Sequence, residues 1–207
     1  MKGLSFKVFF LTFPLLLLGC AQNTTESRLQ EFITTHVAQI EPLTTQANLA
    51  YWNASTSGDR QDYDKLHQLQ MEIRQIYSNP REYALIENFR ESGQVKDAKL
   101  KRQLDKLYNT YLQNQIEPSL LRKMVELDTR VQERYNSFRG TIEGKEVTNS
   151  DIYTILTTEK DCRIRELAWK ASKQVGEAII DDFLELVKCR NEAARQLGFN
   201  SFHTLSI

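Results

Sequence analysis

Apolar side chains in this chain return every third or fourth position almost without interruption, and that period commits it to helices. Leu29, Phe32, Ile33, Val37, Ile40, Leu43, Ala47, Ala50 and Tyr51 form the first such series. Positions three and four apart share one face of an α-helix, so the series predicts a single inward stripe. Ser27-x-x-Gln30 has the capping pattern for its start, and Ser57-Gly58-Asp59 ends it. Pro42 lies inside and predicts a kink, because it removes a donor and crowds the preceding turn.

The pattern repeats downstream. A second helix is predicted over 60–77, with Tyr63, Leu66, Leu69, Ile73 and Ile76 inward. Asn79-Pro80 caps and opens a third, carrying Tyr83, Ile86 and Phe89 to Ser92-Gly93. Asp97 caps a fourth, with Leu100, Leu104, Leu107, Tyr108 and Tyr111, running to Glu117-Pro118. Ser119 opens a fifth, with Leu120, Met124, Leu127, Val131, Tyr135 and Phe138, ending at Gly140. Only Thr141 to Val147 reads as strand, a small hairpin around Gly144. Asn149-Ser150-Asp151 starts a short helix, and Thr158-x-x-Asp161 a longer one through Leu167, Ala168 and Ala171. A separate helix is predicted from about Glu177 to Leu197, with Ile179, Phe183, Leu186, Val187, Ala194 and Leu197 inward and Gly198 just past its end. Asn200 is placed as the cap of one more. The fold class is all-α: a bundle or stack of helical hairpins with one small β-hairpin. The βαβ alternation of a nucleotide-binding sheet does not occur.

The first residues follow a different rule. Lys2 and Lys7 precede an apolar run, Val8 to Leu18, and then Gly19-Cys20. Crossing a bilayer takes roughly 20 apolar residues, so a basic start with this shorter run reads as an export signal. Leu17-Leu18-Gly19-Cys20 resembles a bacterial lipobox, which makes Cys20 the expected lipidation site and the mature amino terminus. Two or more acyl chains there would anchor the protein to the cell-envelope membrane; with Ala21 next, resemblance to known lipoproteins implies the outer one in a Gram-negative cell. The expected organisation is a signal peptide over 1–19, a polar tether over 20–26 and a helical region over 27–207.

Charge excludes one class of partner. The chain carries 27 basic and 27 acidic side chains, and removing Lys2 and Lys7 leaves 25 against 27. Mixed charges at near-neutral balance, with no basic stripe, argue against nucleic acid. Cys162 and Cys189 are read as two free, buried thiols rather than a bridge, and without a Cys-x-x-Cys spacing a Cys-based metal site is not expected. A zinc-peptidase helix needs two histidines four apart with glutamate after the first. His36, His67 and His203 cannot make one: Ile40 and Met71 stand where the second imidazole would be, and His203 lies too near the end. Asp64 and His67 share a helix face, but a metal site needs three or more ligands. Asp181-Asp182, with Glu177 and Glu185, reads as a solvated helix face. Serine elbows and glycine-rich phosphate loops are missing. No catalytic or metal-binding residue is assigned.

Four blocks together carry a family resemblance. They are Asn48-Leu49-Ala50-Tyr51-Trp52-Asn53-Ala54; Lys101-Arg102-Gln103-Leu104 with Tyr108-Asn109; Arg165-Glu166-Leu167-Ala168-Trp169-Lys170-Ala171-Ser172; and Leu186 to Phe199. In this order they resemble the amino-terminal part of zinc peptidases of the angiotensin-converting-enzyme family. The resemblance implies helices forming a lid over a deep peptide-binding cleft, in enzymes that remove dipeptides or cut short peptides. It also implies that zinc, its ligands and the catalytic glutamate come from sequence beyond these blocks, so this chain supplies no cofactor site of its own. Two readings stay open. In one, the chain is the amino-terminal part of such a peptidase, truncated and inactive alone; the helix just begun at Asn200 favours this. In the other, it is a stand-alone helical lipoprotein that binds a peptide or protein partner.

Overall fold

The computed structural model describes residues 24–207. Eight helices and one hairpin follow in order: α1 (Thr25–Ser57), α2 (Arg60–Tyr77), α3 (Pro80–Glu91), α4 (Ala98–Leu112), α5 (Pro118–Ser137), β1 (Gly140–Ile142), β2 (Lys145–Val147), α6 (Asn149–Thr158), α7 (Cys162–Gln196) and α8 (Phe202–Ser206). The class is all-α. The expected Cys20 lipidation site and the signal peptide lie outside the described residues.

Helix starts follow the capping chemistry, in places one or more residues from the predicted point. The cap of α1 is Thr24 rather than Ser27; its side chain accepts from the Ser27 backbone, so Thr25 and Glu26 are helical rather than tether. Glu117, not Ser119, caps α5 by accepting from the Leu120 N–H. Ser201 rather than Asn200 caps α8. Asn79 and Asp97 cap α3 and α4 as predicted. Thr148 and Asp151 form a reciprocal capping box at α6.

Two predictions about helix extent are corrected. Helix α4 stops at Leu112 instead of reaching Pro118. There the Asn114 and Gln115 side chains donate to the Thr110 and Tyr111 carbonyls, which would otherwise lie bare at the helix end. The two helices expected on either side of residue 176 are one, the 35-residue α7. A lone interior glycine costs only about 1 kcal/mol relative to alanine. Packing outweighs that here, because Gln174 is tied in both directions to the Thr141 backbone of the hairpin. Helix α1 likewise continues past Pro42.

Helices α1 and α2 form an antiparallel hairpin around Ala47, Ala50, Ala54, Tyr63, Leu66 and Leu69. Helices α5 and α7 form the second. Glu117 meets Gln196, Asp128 meets Arg190, and Arg134 meets Ala178, so rising numbers on one face falling numbers on the other. Packing of α2 on α5 joins the two hairpins. The α3–α4 pair covers the start of α1 through Leu29, Ile33, Ile86, Phe89, Leu104 and Tyr111. A clasp fastens that end: the Glu26 carboxylate accepts from the Asp97 and Lys96 backbone N–H groups, which hold its pKa below the usual range.

The β-hairpin closes against α7. Glu143 and Gly144 both take positive φ, the requirement of a type I′ turn. A Cβ on Gly140 would come within 2.9 Å of the Ala171 carbonyl oxygen, so only glycine allows the strand so near the helix backbone. At the far end of α7, the Phe199 and Gly198 N–H groups donate to the Ala194 and Arg195 carbonyls, a Schellman stop.

Several inward assignments are corrected. Val37, Tyr51, Tyr135 and Phe183 are exposed, whereas Ala54, Leu121, Val125 and Ala193 are buried. Packing of long helices rotates the buried face along their length, so a fixed stripe drifts off it. Cys189 is buried and free as read, but Cys162, at the first turn of α7, is exposed.

Replacing buried Leu66 with alanine leaves a cavity between α1 and α2 and should destabilise the chain by about 2–5 kcal/mol. Val37→Ala, at a site 47% exposed, should stay within about 0.5 kcal/mol of the parent. Urea unfolding midpoints compare the two.

Candidate functional site

Where α2, α4, α5, α7 and α8 converge they leave a cleft of about 360 Å³. Its apolar wall comes from Ile73 and Tyr77 of α2, Leu121, Met124 and Val125 of α5, and Leu186 of α7. Phe202 of α8 closes one side, held by its backbone N–H on Asn191 Oδ1 at 3.0 Å. The polar wall contains Arg74, Asp128 and Arg190.

These three charges are unevenly matched. Arg190 Nη2 lies 2.9 Å from Asp128 Oδ1, and its guanidinium sits over the Phe202 ring at 5.5 Å. The other Asp128 oxygen accepts from Gln132 Nε2 at 3.0 Å. Among the described residues Arg74 has a neutral hydrogen-bond partner only: Nη1 donates to Asn114 Oδ1 at 3.3 Å. Asn114 is 1% exposed, and its amide orientation is fixed because Nδ2 donates to the Thr110 carbonyl at 2.7 Å. Arg74 is an exposed residue on the cleft wall, with protein close enough on its other side to desolvate the guanidinium in part. Burial moves its pKa down; the Arg190 charge adds to this and Asp128 opposes it. Arginine starts so high that it stays cationic.

Behind the cleft, Tyr77 also borders a shallower groove with His36, Val37, Ile40, Glu41 and Leu107. His36 is 5% exposed and ringed by Phe32, Tyr77 and Tyr111. The Tyr111 hydroxyl donates its one proton to Glu82 Oε2, so at 3.1 Å from His36 Nδ1 it can only accept. The network therefore assigns the proton to Nδ1. Nε2 is left as a buried lone pair with no hydrogen-bond partner among the described residues. Burial lowers the His36 pKa, and Glu82 pulls weakly the other way.

The sequence-derived candidates are scattered over this framework. Asp64 and His67 lie on α2, His203 lies exposed on α8, and His36 belongs to the aromatic cluster. Among the described residues no three His, Cys, Asp or Glu side chains converge on one point. The donor set in this stretch therefore does not fit zinc. Asp181 and Glu177 face solvent as read, but Asp182 does not. Its side chain is 14% exposed and lies between Arg130 Nη2 and Arg134 Nη1, each an ion pair at 2.9 Å. Glu185 pairs with Lys123 across the same seam. Sequence reading missed Arg74, Asp128 and Arg190, because their meeting depends on three helices coming together. Arg74 lying one position after inward Ile73 was the only local signal.

A family model for angiotensin-converting enzyme matches residues 23–205. No curated protein matches the chain.

The His36 environment sets a pH dependence. Its folded pKa is lowered, so the unfolded chain takes up the proton first, near the ordinary value of about 6.5. The stabilisation from neutral His36 is present above that value and is lost as pH falls below it. His36→Asn keeps a donor at the Nδ1 position and cannot titrate. Urea unfolding between pH 7.5 and pH 5 should show a steeper loss of stability in the parent than in this variant; equal slopes would contradict the assignment.

Proposed function

The chain belongs to the angiotensin-converting enzyme family, and from that premise we propose that it supplies the amino-terminal, substrate-cleft helices of an exported zinc metallopeptidase acting on peptides. One observation carries the reading: the family match runs from residue 23 to residue 205, through every helix that borders the cleft. The cleft's mixed lining is what a peptide needs, an apolar wall for side chains beside charged groups for termini and backbone. Large apolar residues on the outside of α7 add support. Ile180, Phe183 and Leu184 are each between 43% and 49% exposed within one short stretch, which suits a helix that meets more protein.

In this reading the zinc-holding residues are not among these 207, since no His-Glu-x-x-His occurs in them and the imidazoles present do not converge. The helices bind and orient a peptide; bond cleavage belongs to the metal-bearing part of the fold. Lipidation of Cys20 would keep the assembly at the envelope membrane, and no described helix is long and apolar enough to cross one.

Three measurements test the reading. Sequencing the gene beyond the last codon should reveal a His-Glu-x-x-His in some frame; its absence would favour a stand-alone binding lipoprotein. The full chain, purified in non-ionic detergent, should hold no stoichiometric zinc and cleave no fluorogenic peptide. Tightly held zinc with chelator-sensitive turnover would overturn the assignment. In cells, Cys20→Ala should move the protein from the membrane to the soluble fraction and abolish labelling by palmitate; an unchanged distribution would remove the lipid anchor from the proposal.

A further inference from the structure

We propose that the α2–α5–α7 cleft is an organic-anion site, with Arg74 receiving the carboxylate of a ligand whose body is apolar. This deepens the peptide-cleft reading and rests on it only for the cleft's biological use; the charge argument stands by itself. Two guanidinium groups face the cleft against one carboxylate, and that carboxylate is already engaged by Arg190 and Gln132. Arg74 has no carboxylate within ion-pair distance among the described residues, and a single neutral contact to Asn114. That contact fixes the guanidinium from behind, because Asn114 is itself locked to the Thr110 carbonyl. The remaining N–H donors of a planar fork suit the two oxygens of a carboxylate.

The choice of anion follows from charge and shape. The three ionised side chains leave the cleft at a net charge of +1, which one monoanion neutralises. A phosphomonoester carries about −1.5 to −2 at neutral pH and would bring excess negative charge beside Asp128. About 360 Å³ exceeds what a small inorganic ion fills, and Ile73, Met124, Leu186 and Phe202 give it apolar surface beside the neutral polar groups of Gln70, Thr110 and Gln113. A carboxylate carried on an aryl or alkyl group fits both halves of the lining.

The test uses the full chain in non-ionic detergent with four probes: 4-phenylbutyrate, 4-phenylbutanol, 4-phenylbutylamine and phenyl phosphate. Calorimetric titration at pH 7 should show saturable binding of 4-phenylbutyrate, with the alcohol, amine and phosphate each at least about tenfold weaker. Arg74→Gln should weaken the carboxylate by about tenfold or more and leave the alcohol unchanged, while Arg74→Lys should recover part of the loss. In the unmutated protein, the Arg74 Nε–H resonance should shift on titration with 4-phenylbutyrate, a readout that does not depend on a variant folding. No binding at millimolar concentration, equal binding of the amine or the phosphate, or a stationary Arg74 resonance would each overturn the site. Failure of the peptidase reading with carboxylate binding intact would leave this site standing.

Discussion

Close approach of helix backbones at alanine is the constraint on which the rest of this structure depends. Ala47, Ala50 and Ala54 put α1 against α2, Ala168 and Ala171 put α7 against α6 and the hairpin, and Ala193 puts the end of α7 against α5. A side chain of one carbon lets the partner's larger residues, Tyr63, Leu66, Ile152 and Leu121, reach the helix surface without leaving voids. Bulkier residues at these positions would hold the hairpins apart, and the cleft between them would lose its walls.

Polar contacts then set the register that apolar packing leaves loose. Asp182 between Arg130 and Arg134, and Lys123 beside Glu185, fix how far α5 slides along α7. Such surface-near pairs contribute little to stability, so their effect here falls on alignment more than on energy. That alignment puts Asp128 opposite Arg190 and presents both to the cleft. Arg74 arrives separately, on α2, held by an amide from the end of α4. The unequal charge of the site thus results from two independent positioning events.

Much of this was legible in the chain itself. The period of three and four, punctuated by Asn79-Pro80, Asp97 and Gly198, located most helices, and α2 was placed to the residue. Where the reading failed, a tertiary contact had outweighed a local signal. A separate helix was placed from about Glu177, but Gln174 on the hairpin carries α7 through that point. Asp182 looked solvated because its neighbours in sequence are, while its partners lie some fifty residues upstream on α5. His36 was weighed as a metal ligand and dismissed; its aromatic enclosure joins α1, α2 and α4, which no window of sequence spans. The cleft was legible only through family resemblance, since its three charged residues sit on α2, α5 and α7.

One ring is shared between two hollows. Tyr77 makes T-shaped ring contacts with His36 and Tyr111 on one side and borders the cleft of Arg74 on the other. A partition one phenol thick cannot tilt toward either chamber without widening its neighbour. A ligand that displaced Tyr77 from the guanidinium side would therefore change the room around the imidazole as well.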